Sequence, residues 1–175
     1  MIISLDKLNR KETDKIDLNF SQKIDTINYC NNNYKLSSPI NIEGKVSNTN
    51  KGLYLDVDVD FTLVDNCSRC LDEVKVPIEY AIEGFLVKAD FDEDEFEDYD
   101  AFIIDGDEVN LLDIIGQTLI FNLPGQSLCK EDCKGLCQGC GANLNRETCA
   151  CSQIANDEDE IDPRFAKLKD LFKND

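Results

Sequence analysis

The sequence predicts an α+β protein: a mainly antiparallel β domain with one packed helix, a small cysteine-rich module and a C-terminal helix. Apolar and polar residues alternate over much of 38–86, which is typical of strands with one buried face. An apolar stripe of helical period follows at 111–120, and six of the nine cysteines then lie close together. We therefore assign 1–128 to the β-rich domain, 129–151 to the module, and 152–175 to an acidic linker and short amphipathic helix.

Residues 1–35 predict a strand, a basic loop and a second strand. The first strand is the apolar start at 2–5, and the second is the alternating stretch at 16–20. We interpret the basic loop as a solvated connection, with a local phosphate contact as the functional alternative. The basic residues are Lys7, Arg10, Lys11 and Lys15. Asn31–Asn33 predicts a turn or loop, and Cys30 beside it a lone thiol.

Two long strands at 53–63 and 74–86 carry the clearest alternation, and the short segment between them predicts a hairpin with Cys67 and Cys70 at its tip. Asp56, Asp58 and Asp60 then face solvent, opposite the apolar residues. We prefer this interpretation to a calcium site or catalytic carboxylates. An earlier alternating segment at 40–46 precedes a turn at 48–52.

Residues 90–100 hold eight acidic groups in eleven positions, interleaved with Phe91, Phe96 and Tyr99. Such a run repels itself and predicts a disordered loop. The functional alternative is a docking strip for a basic protein, or mimicry of nucleic acid, in which the aromatic side chains supply anchors.

The next segment predicts a short strand, an Asp-Gly turn at 105–106, a second strand end and a helix at about 110–122. Asn110 can cap the helix, and Leu123-Pro-Gly125 ends it. The predicted core-facing stripe comprises Leu111, Leu112, Ile115, Leu119 and Ile120.

Eight cysteines have the spacing of metal ligands: one C-x2-C pair upstream and a cluster spaced C-x3-C-x3-C-x2-C-x8-C-x-C. The economical partition assigns one ion to Cys137, Cys140, Cys149 and Cys151, and another to Cys67, Cys70, Cys129 and Cys133. Cys133 could also replace a partner in the first set. Closed sets of four thiolates are typical of structural zinc, because no position stays open for water. We predict one or two structural Zn²⁺ ions.

Three other uses of the cysteines are less well supported. Disulfides would suit a secreted scaffold, but the start of the chain lacks the basic and apolar pattern of a signal peptide, so we expect a reducing, cytoplasmic location. An iron–sulfur cluster of the radical S-adenosylmethionine type would need a barrel after the motif, and only thirty-five residues follow Cys140. Thioredoxin-type redox chemistry would place the C-x2-C pair at a helix start rather than between strands.

The composition narrows the functional classes. The chain has 175 residues, a formal charge of −18 and no histidine. Histidine is the commonest general base at neutral pH, so the sequence offers few candidates for acid–base catalysis. A strongly acidic surface repels phosphate backbones and favours basic partners. We expect no membrane segment, no small-molecule substrate and no enzymatic activity.

Three motifs in order resemble the YceD family of large ribosomal RNA subunit accumulation proteins. They are Cys67-Ser-Arg-Cys70-Leu71; Lys134-Gly-Leu-Cys-Gln-Gly-Cys-Gly-Ala-Asn-Leu-Asn145 with Cys149-Ala-Cys151; and Asp162-Pro-Arg-Phe-Ala-Lys-Leu-Lys-Asp-Leu171. The resemblance implies a cytoplasmic protein needed for accumulation or processing of large-subunit (23S) ribosomal RNA, with a gene that often neighbours one for a small basic ribosomal protein.

Charge and resemblance together give two leading hypotheses. The first is a non-enzymatic ribosome-biogenesis factor that engages precursor ribosomal RNA or the pre-ribosome. Its RNA or partner contacts would be the local basic residues Arg69, Lys130, Lys134 and Arg146. The second is an acidic, chaperone-like binder of a small basic large-subunit ribosomal protein. A nuclease that uses the strand carboxylates is the third, enzymatic alternative.

Overall fold

The computed structural model describes residues 1–89, 91, 96 and 98–153, with the backbone alone of 152 and 153. The chain divides into two compact units. The β unit comprises Met1–Ser68 and Asp72–Cys129, and the cysteine unit comprises Arg69–Leu71 and Lys130–Asp175, of which the part up to Gln153 is described. The predicted linker and terminal helix lie outside the described residues.

The described part of the β unit is mostly antiparallel strand, as the sequence predicted. The strands are β1 (Ile2–Ser4), β2 (Lys15–Gln22), β3 (Thr26–Tyr29), β4 (Asn32–Leu36), β5 (Ile40–Thr49), β6 (Gly52–Asn66), β7 (Glu73–Val87), β8 (Ala101–Ile103) and β9 (Glu108–Asn110). The helices are α1 (Asp6–Asn9) and α2 (Leu111–Asn122).

Strand β6 organises the main sheet. It pairs along its length with β7, from Leu53 opposite Leu86 to Asn66 opposite Glu73, which is the predicted hairpin. On its other edge it pairs first with β5 and then with β4. Strands β2 and β3 extend the sheet through β5 and β4, while β1 and β9 form a separate two-stranded sheet.

The alternation in β6 is the reason for its long pairing. Leu55, Val57, Val59, Phe61 and Leu63 are buried in the apolar core, while the residues between them are exposed or half-buried. Each such side chain contributes roughly 1.5–3 kcal/mol when it is fully buried. A shift of one residue would turn this face to solvent, so the core fixes the register of the sheet.

Helix α2 begins where the sequence predicted. The Asn110 side chain accepts a hydrogen bond from the Leu112 N–H at 3.3 Å and caps the helix. Gly116 faces the Tyr29 ring, and a Cβ there would lie 3.1 Å from it, which permits close packing of helix on sheet. The predicted apolar stripe was wrong at Ile120, which is 41% exposed, and it omitted Ile114, which is buried. The face of α2 that packs on the sheet is therefore narrower than the apolar stripe that the periodicity predicted.

Two predictions for the N-terminal region were wrong. The basic loop contains α1, a single turn whose Leu8 is fully buried in the core. Asn32 and Asn33 belong to β4 rather than to a loop, because the chain reverses one step earlier, where Cys30 and Asn31 have φ angles of 48° and 64°.

The end of the β unit contains one parallel pairing. Strand β8 pairs with β7 in parallel, with Phe102 opposite Leu86. Most of the acidic segment before it lies outside the described residues. Phe96 is described and is buried, with its ring centroid 5.0 Å from that of Phe85. The burial of Phe96 argues against the functional alternative in which its side chain anchors a partner. No helix in the described part of the chain is long and apolar enough to cross a membrane.

Candidate metal centres

Eight cysteines lie in two groups that could each hold a metal ion. The hairpin group is Cys67, Cys70, Cys129 and Cys133, and the knuckle group is Cys137, Cys140, Cys149 and Cys151. Within each group the four sulfur atoms lie within 4.8 Å of one another. The structure thus brings together the same sets of four that the spacing suggested. The ninth cysteine, Cys30, is exposed and belongs to neither group.

The turn between β6 and β7 positions Cys67 and Cys70. The Cys67 N–H donates to the Asp72 carbonyl at 2.8 Å and closes the turn. The Ser68 N–H donates to the Ser127 carbonyl at 2.7 Å, which holds the segment preceding Cys129 beside the turn. Cys67 and Cys70 are buried, as expected for ligands in a structural site.

The knuckle group is built on a tight reversal of the chain. The Cys137 N–H donates to the Ala142 carbonyl and the Gly141 N–H donates to the Cys137 carbonyl, both at 2.8 Å. Gly141 has a φ of 74°, a conformation that residues with a Cβ rarely adopt. The sequence C-x2-C-G therefore folds into a loop that presents Cys137 and Cys140 on one side.

Gly139 allows the remaining cysteines of the group to approach this loop. A Cβ at Gly139 would lie 3.3 Å from the Cys151 Cβ and 3.4 Å from its Sγ. A larger side chain would press against the sulfur and displace it from the group. Packing against Cys151 thus favours a residue without a Cβ between the two knuckle cysteines.

The hydrogen bonds within the knuckle group give Cys137, Cys149 and Cys151 different acidities in the absence of a cation. Hydrogen bonds from the Cys140 backbone, the Cys149 thiol and the Gly139 backbone lower the pKa of Cys137 to about 6. The hydrogen bond to Cys140, and its negative charge, raise the pKa of Cys151 to about 12. The bond to Cys137 likewise raises the pKa of Cys149. A bound dication would lower the pKa of all four thiols together, because it stabilises every thiolate that binds it.

One residue that contacts a sulfur atom was not singled out from the sequence. The Asn145 amide nitrogen lies 3.3 Å from the Cys133 Sγ and donates to it. Its amide oxygen accepts from the Lys134 N–H at 3.0 Å, which orients the side chain. Such donors stabilise thiolate ligands and hold them in place. Asn145 was part of a motif, but no spacing rule distinguishes an amide that supports a ligand from a turn residue.

The four predicted contact residues, Arg69, Lys130, Lys134 and Arg146, are all exposed and all belong to the cysteine unit. The Arg69 guanidinium donates to the Cys133 carbonyl at 3.1 Å, so it also has a local structural contact. The Lys130 ammonium lies 3.9 Å from the Asp132 carboxylate. Glu131, Asp132 and Glu147 are exposed nearby in sequence, which leaves this surface close to neutral.

Sheet and cysteine groups together define a class: a β-rich protein with sites for metal bound by sulfur. The chain belongs to the YceD family, described as large ribosomal RNA subunit accumulation protein YceD, whose model matches residues 55–172. The matched range contains all eight grouped cysteines, and it confirms the resemblance stated from the motifs.

Two relatives illustrate the extent of the similarity. The chain is 22% identical over 172 residues to the uncharacterized protein YlbN of Bacillus subtilis, which covers 97% of this chain and 95% of the relative. It is 27% identical over 135 residues to the uncharacterized protein Mb2951c of Mycobacterium bovis, which covers 76% of this chain and 62% of the relative. The comparison with solved structures gives no significant match.

Proposed function

We propose that the protein is a non-enzymatic ribosome-biogenesis factor of the cytoplasm that supports accumulation and processing of 23S ribosomal RNA. The observation that carries this proposal is membership of a family described by large ribosomal RNA subunit accumulation, over a match that includes both cysteine groups. Its contact with the large subunit is through precursor RNA or the pre-ribosome.

Zinc is the ion that best fits the two groups. A Zn–S bond of about 2.3 Å places neighbouring sulfurs of a tetrahedron about 3.8 Å apart. The sulfurs of each group already lie within 4.8 Å of one another, so a small adjustment is enough to close either site. Four thiolates leave no position for a water molecule, and this supports a role for the ion in structure rather than in catalysis.

The role of the metal in this proposal is to fix a loop that displays cations. Contact with RNA phosphates needs basic groups held at defined positions, since the protein as a whole carries a charge of −18. Arg69, Lys130, Lys134 and Arg146 are exposed on the cysteine unit. Order in that unit would hold these cations at defined positions for contact with phosphates.

The test is complementation of a strain that lacks the gene, with precursor and mature 23S RNA measured by northern blot. The parent gene should restore mature 23S RNA, while Lys130→Gln with Lys134→Gln should restore less of it at equal protein level. Lys75→Gln with Lys88→Gln changes the charge equally on the β unit and should complement fully. Normal 23S RNA in the deletion strain would refute the function, and equal behaviour of the two double variants would refute the assigned surface.

A second candidate function is supported by the outer face of the sheet. The register places Glu43 opposite Asp58, and Asp60 opposite Glu79. Like charges directly opposite one another destabilise a sheet. The sheet retains this acidic surface although the paired charges destabilise it. This observation favours a chaperone-like protein that binds a small basic large-subunit ribosomal protein. Co-purification distinguishes the two candidates: precursor RNA supports the first, and one stoichiometric basic protein supports the second.

A further inference from the structure

Two adjoining clefts run along helix α2 where it meets strand β8. The first, of about 340 Å³, is lined by Ile103 and by the first half of α2. The second, of about 280 Å³, is lined by Phe102, by β7 and by the second half of α2. Along α2 the lining residues of the two clefts recur at i, i+4, as in Asp113, Gln117 and Phe121, so they lie on one side of the helix and the clefts form one surface, which we call the α2 cleft. Its lining residues on α2 run from Asp113 to Asn122, a length of about 14 Å.

The α2 cleft exposes large apolar side chains. Ile2 and Ile103 line the first part and are 67% and 61% exposed. Phe121 lines the second part and is 88% exposed. Exposed apolar residues scattered singly need no explanation, but several along one concave surface mark an interaction site. All three side chains are therefore already exposed and can contact a partner without a change in the core.

The rim of the α2 cleft is acidic. Its lining residues include the carboxylates Glu83, Asp100, Asp105, Glu108 and Asp113. Among the described residues that line the cleft there is no lysine or arginine. An apolar floor with a rim of one charge selects a ligand with apolar anchors and the opposite charge.

We propose that the α2 cleft binds a basic segment of a partner protein, one whose lysine or arginine side chains flank large apolar residues. That the segment comes from a basic ribosomal protein rests on the second candidate function. The preference of the cleft for a basic segment with apolar anchors does not rest on that function. A second copy of this chain is a poor occupant because each copy carries a charge of −18. The chain's own residues 162–173 combine four basic with two acidic groups and follow the acidic run 157–160. Their charge is less complementary than that of a basic partner.

The test measures binding of two fluorescein-labelled 16-residue peptides to the full chain by anisotropy. One repeats Lys-Leu-Ala-Lys and the other repeats Lys-Ala-Ala-Lys, so they carry equal charge and differ in apolar anchors. The parent should bind the leucine peptide about tenfold more tightly or better, since buried apolar anchors dominate interface energies. Equal affinity for the two peptides would overturn the proposal, because it would reduce binding to bulk charge.

Substitutions locate the binding surface. Phe121→Ala should weaken binding of the leucine peptide about tenfold without loss of stability, since the side chain is 88% exposed. Asp105→Asn with Glu108→Gln should weaken it severalfold at low salt. The matched control, Glu12→Gln with Asp14→Asn, removes the same charge from two exposed residues that do not line the cleft and should not weaken it. Equal weakening by both double variants would overturn the assignment.

A last variant tests the other occupant. If the chain's own tail filled the cleft, Phe165→Ser with Leu168→Ser in the full chain would tighten peptide binding, and the proposal of an external segment would be wrong. Unchanged affinity supports the proposal. These binding assays contain no RNA, so they can fail while 23S RNA accumulation still depends on the gene, or succeed when it does not.

Discussion

Replacement of Cys137 by serine gives the sharpest test of the metal centres. The change removes one of the four sulfurs of the knuckle group, and it alters neither the apolar core nor the hairpin group. We expect the variant to lose the metal of the knuckle group and the surrounding loop to open. The reason is that serine is a far weaker zinc ligand than a thiolate.

The size of the effect follows from how little else holds this loop together. Between residues 130 and 151, all of which the structure describes, only Cys133 and Gly135 are buried, and neither belongs to the main apolar core of the β unit. Structural zinc contributes about 10–16 kcal/mol of apparent free energy in small zinc peptides. Loss of even about 3 kcal/mol would raise the opened fraction of the loop roughly a hundredfold.

The assay is limited trypsin digestion followed by mass spectrometry, together with elemental analysis of zinc per chain. Lys130, Lys134 and Arg146 supply cleavage sites within the loop. The parent should carry two zinc ions and resist cleavage, whereas Cys137→Ser should carry one and be cut about a hundredfold faster if cleavage follows the opened population. Cys30→Ser, outside both groups, should match the parent. Equal zinc content and equal cleavage rates in parent and Cys137→Ser would refute the reasoning.

Three further predictions concern other parts of the molecule. Asn145→Ala removes the donor to Cys133 and should lower zinc affinity about 10- to 100-fold in competition with a chelator; unchanged affinity would show that the contact is incidental. Gly44→Ala would place a Cβ 2.2 Å from the Asp56 carbonyl oxygen, so it should lower the free energy of unfolding by about 3 kcal/mol or more in urea titrations. Burial raises the pKa of Tyr80 from 10.0 to about 12, because the folded protein disfavours the charged phenolate. The stability that neutral Tyr80 contributes to the folded state is therefore complete below pH 10 and is lost as the pH rises to about 12. Tyr80→Phe, which removes the hydrogen bond to the Ile115 carbonyl, should therefore be about 1 kcal/mol less stable than the parent at pH 8 and more stable near pH 12; a constant difference would contradict this account.

The long hairpin could be predicted from sequence because a single cause determines it. One buried face imposes a period of two, and β6 and β7, each fifteen residues long, follow it over most of their length. The start of α2 could also be predicted from the sequence, because Asn110 caps the helix by contacts with residues no more than three positions away. Local patterns that extend over several residues, or that close within one turn, need no knowledge of the rest of the fold.

The errors have a common physical origin in contacts between distant segments. Helix α1 is four residues long, too short for any periodicity, and only the burial of Leu8 in the core explains it. Strand β1 pairs with β9, more than one hundred residues away, and β8 pairs with β7 in parallel across the acidic segment. The support of Cys133 by Asn145 is of the same kind on a smaller scale. The sequence of a three-residue strand, or a single amide side chain, does not indicate which distant residue it will contact.

The two units differ in what keeps them ordered, and this difference bears on function. All 23 buried residues of the main apolar core lie in the β unit, which can therefore tolerate like charges paired across its outer face. The described part of the cysteine unit has almost no apolar interior, and all four cysteines of the knuckle group belong to it. If the proposed zinc ions are bound, their removal would open the unit that carries the basic residues, while the acidic surfaces of the β unit would persist. A chelator should accordingly abolish RNA-dependent association before it affects binding of a basic peptide, and the opposite order would show that the cysteine unit is not the RNA-binding surface.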